Sequence, residues 1–430
     1  MQLRALTLLP TQESYRHAYP CLQSMLRDDT TTAFLPLPTP ADSEESTRTL
    51  ASLQAYHNHL APHTTLIVAT SGTTGTPKYA QLGAHQLRAS ATATHHVLGG
   101  PGAWLLPLPP YHIAGIQVLL RSLAAGYEPV LQDTRHGFAL SDFAAATTQL
   151  LDSTPHTRHY TSLVPTQLHK IVSAAQRGDA DGLAARTALT YFDAILVGGA
   201  ALSTDLLHTA RTAGAHIVCT YGASETAGGC VYDGYPLPGT RVDIDEEGRI
   251  WLGGDTIASG YLNMPDHIAW RRPGWFRTDD HGHWNTSCTD SGRRDNKEIL
   301  HSPRLCVDGR LDDAICSGGL TIFPHVVENA LATHPAISQV VVIGKPDARL
   351  GEHVTAVIVP AVPSANTSVA ATTDNLADAL TVESLRHWVS AAGLPPTAAP
   401  REVIIRADLP VKGIGKIDRC LLYTSPSPRD

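Results

Sequence analysis

Along residues 65–219 the hydrophobic positions alternate between short unbroken apolar runs and longer stretches with helical spacing, the pattern of βα units that build a largely parallel sheet. Residues 66–69 (Leu-Ile-Val-Ala) read as the first buried strand, followed by a Gly/Thr-rich loop and a helix over 84–96. The rhythm returns with a strand at 161–164, which passes through Pro165, suited to a first helical turn, into a helix over 166–177. A strand at 193–197 precedes Ser203, a good N-cap for the next helix, and residues 216–219 read as a strand ending in a polar loop.

After Gly234 the pattern changes to short β segments at 241–244, 249–252 and 256–262, punctuated by Gly and Pro, which describes a small β-rich unit appended to the α/β core. Past Gly309 the chain restarts with a helix at 324–333, strands at 339–343 and 354–359, a helix at 380–391 and a strand at 402–405. The expected architecture is α/β: a large N-terminal domain over 1–309 and a small, mobile α+β C-terminal domain over 310–430. Residues 281–308 are long and polar and read as an exposed insertion, and 362–374 as a surface loop. Residues 420–430 lack apolar periodicity and read as a disordered tail or a segment foreign to the natural protein.

At 430 residues, 43% hydrophobic and 17% charged, the chain can build two cores. A net charge of -8 with no stripe of Lys and Arg argues against a nucleic-acid partner. Seven scattered cysteines without a CxxC pair suggest neither a disulfide framework nor a zinc ribbon, and fit a reducing cytoplasm. His281, His283, Cys288 and Cys306 match no compact metal-ligand spacing. The longest apolar stretch, 104–125, is broken by Pro107, Pro109, Pro110, His112 and Arg121, so no integral membrane span is expected, and the apolar run before Pro10 is too short for an export signal. Association into a homo-oligomer is left open.

The strongest chemical signal is Thr70-Ser71-Gly72-Thr73-Thr74-Gly75-Thr76-Pro77-Lys78. Directly after a buried strand, a loop rich in glycine and hydroxyls offers backbone N–H groups and side-chain donors to polyphosphate oxygens. Pro77 before Lys78 and Tyr79 after it rule out the Gly-Lys-Ser/Thr ending of a P-loop kinase or GTPase. This loop resembles the phosphate-binding signature of the adenylate-forming superfamily of acyl- and aryl-CoA synthetases, adenylation domains and firefly-type luciferases.

Four more segments resemble signatures of that family in the same order. Tyr221-Gly222-Ala223-Ser224-Glu225 is similar to the motif whose glutamate holds magnesium and whose aromatic ring stacks on adenine. Arg277-Thr278-Asp279-Asp280 resembles a motif whose last aspartate binds the ribose hydroxyls, with Asp279 where the family has glycine. Gly309-Arg310-Leu311-Asp312-Asp313 looks like the domain junction, Arg310 lying near the ribose and Asp312 acting as the hinge. Gly415-Lys416 resembles the motif of the catalytic lysine. Taken alone, Lys416 is an exposed lysine like most others.

The resemblance implies ATP, Mg2+ and coenzyme A as the cofactors and co-substrates of a two-step ligase. It also implies a rotation about Asp312 that withdraws Lys416 and brings Ser317-Gly318-Gly319 to the pantetheine of coenzyme A, although a Gly pair serves a plain turn equally well. Gly198-Gly199-Ala200 resembles the segment lining the acyl and adenine sites. Thr226 would face the acyl phosphate, or serve simply as a good loop residue.

The run from Leu106 to Gly126 is similar to the corresponding part of the o-succinylbenzoate-CoA ligases. It implies His112 beside the reacting carboxylate and Arg121 on the substrate's second carboxylate. A guanidinium on a helix otherwise made of Ile116, Val118, Leu119, Leu120 and Leu123 is unfavourable to bury without an anion, though Arg121 could also reach the surface by its long stem. A ligase for another aryl or acyl acid, a stand-alone adenylation domain loading a carrier protein, and a nucleotide-binding regulator without turnover are the alternatives.

Overall fold

The computed structural model describes residues 1–28, 31–70, 77–286, 303–361, 379–412, 416–417 and 419–424. The chain opens with β1 (Gln2–Thr7), α1 (Gln12–Arg27), β2 (Thr32–Leu37), α2 (Glu44–Gln54), β3 (Thr64–Thr70), β4 (Lys78–Gly83) and α3 (Ala84–Val97). These strands form a sheet of their own in the order β1-β2-β3-β4, parallel except for β4, which returns antiparallel to β3. Two strands therefore precede the one expected first. The Gly/Thr-rich loop also leads into a strand rather than a helix, with Thr70 and Lys78 facing each other across the β3–β4 hairpin.

The second sheet is built by β5 (Ala103–Leu106), α4 (Ile113–Ala124), β6 (Val130–Leu131), α5 (Leu140–Ser153), β7 (His159–Leu163), α6 (Pro165–Gln176), α7 (Ala180–Leu189), β8 (Ala194–Gly198), α8 (Thr204–Thr212), β9 (Ile217–Ala223), β10 (Gly228–Tyr232) and β11 (Tyr235–Pro236). Its order is β11-β10-β9-β8-β7-β5-β6, with β5 to β9 parallel. Central parallel strands are covered on both faces, and all four residues of β5 and all five of β7 are accordingly buried. One face packs on α5 to α8 through Phe143, Leu168, Ile171, Leu189 and Phe192, and the other shares a core with the first sheet. Local chemistry agrees with this plan: Ser203 caps α8 by accepting from the Leu206 N–H, and Pro165 opens α6.

A third sheet, β12 (Thr240–Ile244), β13 (Arg249–Gly254), β14 (Trp275–Asn285) and β15 (Arg304–Arg310), is the appended β-rich unit. The strand expected at 256–262 is instead a segment running along β4, tied by the Gln81 N–H to Gly260 O and the Leu262 N–H to Tyr79 O, with a single bridge between Ala80 and Tyr261. His281, His283 and Cys306 lie on the paired strands β14 and β15, not in an exposed insertion. His281 and His283 each place Nδ1 2.9 Å from the same Asp308 oxygen, and among the described residues no cluster of metal-ligand type occurs. Cys288 lies outside the described residues.

The smaller C-terminal part contains β16 (Ile315–Ser317), β17 (Leu320–Ile322), α9 (Pro324–Ala332), β18 (Ile337–Asp347), β19 (Gly351–Pro360), α10 (Val382–Ala391), β20 (Glu402–Ile405), β21 (Val411–Lys412), β22 (Lys416–Ile417) and α11 (Arg419–Thr424). Its core of Val327, Leu331, Val342, Ile358, Leu385 and Val389 is separate from the others. The expected tail begins as helix: Leu422 of α11 is buried against Val341 and Ile343 of β18, so 419–424 belong to the fold. Among the described residues no helix is long and apolar enough to cross a membrane.

Candidate active site

In a parallel sheet ligands bind beyond the carboxyl ends of the strands, where loops and helix N-termini converge. Here His112 follows β5, Gly198 ends β8 with Gly199 and Ala200 next, and β9 runs on through Tyr221 and Gly222 to Ala223 before a short 3-10 turn, Ser224–Thr226. The loop after Cys219 expected from the sequence is thus strand. Because β9, β8, β7 and β5 are consecutive neighbours, these groups share one edge.

Glu225 is buried at that edge, 6% exposed. Tyr261 Oη donates to its Oε1 at 2.5 Å, and the Lys78 ammonium lies 5.5 Å from the Tyr261 ring centre. The segment along β4 makes this possible, since it carries Tyr261 from the third sheet's approach onto the seam between the first two sheets. Burial raises the Glu225 pKa above the ordinary carboxylate value, while the Tyr261 hydrogen bond and the charges of Lys78 and Arg310 oppose the shift. A buried carboxylate oxygen near one ammonium is a hard donor that suits Mg2+.

A second carboxylate is also held by a tyrosine. Tyr221 Oη donates to Asp280 Oδ2 at 2.7 Å, and burial raises the Asp280 pKa against that hydrogen bond. Asp280 on β14 faces Arg310 on β15. Arg310 forms a two-pronged pair with Asp312, Nε to Oδ1 at 2.7 Å and Nη2 to Oδ2 at 2.6 Å. Burial works against the Arg310 charge, but the Asp312 partner outweighs it and the pKa is raised. Asp279 lies 3.3 Å from Arg249 Nη1 and 3.7 Å from Arg310 Nη2, so the extra charge is shared between two guanidinium groups.

His112 stands at the N-cap position of α4, half-buried, its ring 4.7 Å from that of Tyr111. The start of α4 packs tightly on the preceding loop, and a Cβ on Gly115 would meet Pro109 O at 2.1 Å. Arg121 does not reach the surface: it is 3% exposed, its Nε has no hydrogen-bond partner, and its Cζ sits 5.5 Å from the Trp104 ring centre. Around it three more buried polar groups lack partners, Gln117 (both amide atoms), Trp104 Nε1 and His95 Nε2. Burial, then the Arg121 charge, pushes the His95 pKa down to about 4, so its imidazole is neutral.

Thr226 is fully buried, and its hydroxyl accepts from the Ala223 N–H at 2.8 Å and donates to Gly228 O at 2.7 Å. It holds the turn after Glu225, and the expected contact with an acyl phosphate would require that hydroxyl to be released. Gly318 and Gly319, at φ 60° and 80°, form the two-residue connection between β16 and β17, the primed hairpin turn that calls for glycine at both positions. Ser317 precedes it, buried, with Oγ lacking a partner. Lys416 pairs with Lys412 in the β21–β22 ladder. Its side chain, and Ser71, Gly72, Thr73, Thr74 and Gly75, lie outside the described residues.

Sequence reasoning missed Tyr261, Gln117, Trp104 and His95. Tyr261 reaches Glu225 only through a tertiary contact, whereas Gln117 carried a readable signal: an amide one helical turn before Arg121 among aliphatic side chains.

The AMP-binding enzyme model matches residues 14–262, and the AMP-binding enzyme C-terminal domain model matches 326–416, ending on Lys416. A probable 2-succinylbenzoate–CoA ligase of Mycobacterium tuberculosis is 44% identical over 357 residues, covering 83% of each chain. The 2-succinylbenzoate–CoA ligase of Escherichia coli is 31% identical over 303 residues, 67% of this chain and 57% of that one. The Bacillus subtilis o-succinylbenzoate CoA synthetase in complex with its acyl-adenylate intermediate superposes with a TM-score of 0.72 at 22% identity, over 99% of this chain and 89% of that chain, a likeness of fold. With its N-terminal match spanning more than half of the residues, the chain belongs to the family of AMP-binding enzymes.

Proposed function

We propose that this protein is an ATP-dependent acid–CoA ligase that acts on 2-succinylbenzoate, a step of menaquinone biosynthesis. In the first half-reaction a carboxylate oxygen of the acid attacks the α-phosphorus of ATP, forming the acyl adenylate as pyrophosphate leaves. In the second, the thiol sulfur of coenzyme A adds to the acyl carbonyl and AMP departs. A carboxylate is already a nucleophile, so the first step needs alignment and charge stabilisation rather than a general base.

The positions of the chain's own groups support the following roles. The hairpin loop between Thr70 and Lys78 cradles the phosphates, with Lys78 facing the Tyr261–Glu225 pair. Glu225 is the residue to hold Mg2+, which supplies charge neutralisation at the phosphates when bound. Tyr221 offers a face to adenine while its hydroxyl orients Asp280 toward the ribose, beside Arg310. Gly198, Gly199 and Ala200 leave room for planar groups, and His112 stands at the mouth of the acyl site. Lys416 comes from the smaller domain, and rotation of residues 310–430 about Asp312 exchanges it for the Ser317–Gly319 turn before thioester formation.

The observation that carries the substrate reading is Arg121, buried, with its Nε unpartnered and no ion pair among the described residues. A dicarboxylic acid supplies one: its reacting carboxylate lies toward His112 and its second against the guanidinium. The test is a coupled assay for AMP and thioester with 2-succinylbenzoate, benzoate and a medium-chain fatty acid. Rates at least as high with the simple acids would reject the assignment. Lys416→Ala is expected to slow pyrophosphate release about 10²–10³-fold while ATP still binds, and near-normal release would remove that lysine from the mechanism.

A further inference from the structure

We infer that Gln117 is a second specificity-determining residue of the acyl site, its side-chain amide donating beside the Arg121 guanidinium to the carboxylate of the acid that is not activated. This rests on the reading of the substrate as a dicarboxylic aryl acid.

Gln117 is 0% exposed, and neither its Nε2 nor its Oε1 has a hydrogen-bond partner. Residues 113, 117 and 121 of α4 are spaced four apart and lie on one stripe of the helix, which runs from the turn after His112 to the Arg121 guanidinium. The stripe faces the segment that follows Glu225: a Cβ placed on Gly228 would lie 3.4 Å from Gln117 Cγ and 3.8 Å from Arg121 Nη2. Gln117 thus stands between the helix end where the acid reacts and the cation that receives its far end. Trp104 Nε1 and His95 Nε2, also buried and unpartnered, close the same neighbourhood.

A filling role alone does not account for the amide. Leucine has a similar volume and would leave no polar atoms stranded, whereas a buried amide with donor and acceptor both unpaired is unfavourable until something pairs with it. Nothing in the protein fixes which way the amide faces, so Nε2 is free to turn toward an anion held by Arg121. A guanidinium alone accepts any carboxylate placed against it. An amide donor at a second angle selects an acid whose far carboxylate sits at one distance and direction from the reacting one.

The test measures dissociation constants for 2-succinylbenzoate and for two monocarboxylate analogues, 4-oxo-4-phenylbutanoate and 2-butanoylbenzoate, with the wild type, Gln117→Leu and Gln117→Glu. Melting temperature monitors folding. Gln117→Leu is expected to weaken the dicarboxylate about tenfold or more while shifting the analogue that lacks the far carboxylate less than about threefold. Gln117→Glu, close to isosteric, is expected to impose at least as large a selective loss through like charge, which keeps the test valid if the leucine variant folds poorly. Equal losses for all three acids, or none, would make Gln117 a packing residue and overturn the inference alone. A wild type that does not favour the dicarboxylate overturns the substrate reading together with it.

Discussion

Two groups of polar side chains in the candidate site differ in how they are paired. In the first, each carboxylate has a protein donor: Glu225 is bonded by Tyr261, Asp280 by Tyr221, and Arg310 is clamped by Asp312. In the second, around Arg121, the Arg121 Nε, both amide atoms of Gln117, Trp104 Nε1 and His95 Nε2 have none among the described residues. Paired groups hold their geometry before a ligand arrives, which suits a phosphate chain and ribose that must be presented the same way every time. Unpaired groups are a standing deficit that a ligand with the right charge relieves, which supports the proposal that the group around Arg121 selects the acid.

The sharpest way to break this contrast is Arg121→Met. If the guanidinium serves the ligand, removing it takes away a buried charge that the free protein does not need, so the melting temperature stays level or rises. The rate constant kcat/KM for 2-succinylbenzoate falls about 10³-fold or more, because the far carboxylate then faces an apolar pocket. A large fall in melting temperature with little change in kcat/KM would place Arg121 among the structural residues.

In the paired group the same kind of change acts the other way. Tyr261→Phe leaves the buried Glu225 carboxylate without its donor and is expected to lower stability by about 2 kcal/mol, read from chemical denaturation. A smaller consequence concerns pH. Glu225 and Asp280 both have folded-state pKa values raised by burial above their unfolded values of 4.5 and 3.8. Their protonated forms favour the fold, so their contribution is fully present below those unfolded values and is lost as pH rises through the raised folded-state values. These two groups should therefore contribute a loss of stability with increasing pH across that interval, opposed by His95, whose folded-state pKa lowered to about 4 adds stability as pH rises toward 6.5. Glu225→Gln, which cannot ionise, should flatten the slope, and an unchanged slope would mean that Glu225 is not strained by burial.

What the sequence disclosed follows the same divide between local and tertiary causes. The helices capped by Ser203 and opened by Pro165 and Pro324, and the strand at 402–405, were readable because the signals are local. The first two strands were not recognised, since β1 is exposed or half-buried at all but one position, β2 contains Pro36, and both gain their burial from α1, α2 and β3. The return of β4 was hidden for another reason: it pairs with β3 on one side while Tyr79 and Gln81 bond the segment up to Leu262 on the other, and that second partner is nearly two hundred residues away. Motif spacing located Glu225, Asp280 and Arg310, yet nothing local showed that tyrosines from elsewhere in the chain would bind two of them. Gln117 was visible as an anomaly in an apolar helix, and its meaning needed the neighbouring Gly228 and Arg121.

The smallest effect is expected at Asp279, where the family motif has glycine. The backbone there does not occupy the left-handed region, so no conformational demand for glycine exists. Its side chain is 46% exposed, and its nearest partner, Arg249, is 3.3 Å away. Such a pair contributes less than about 1 kcal/mol after screening by solvent, so Asp279→Gly should barely move the melting temperature. What changes is the field at the nucleotide. Removing one negative charge beside Asp280 and Arg310 should lower the KM for MgATP about twofold at low ionic strength, and the difference should vanish as salt is added, because charges this exposed are screened within about 10 Å at 0.1 M. A salt-independent change, or a loss of stability, would show that Asp279 acts through Arg249 on the shape of β13 and β14 rather than through charge at the paired group.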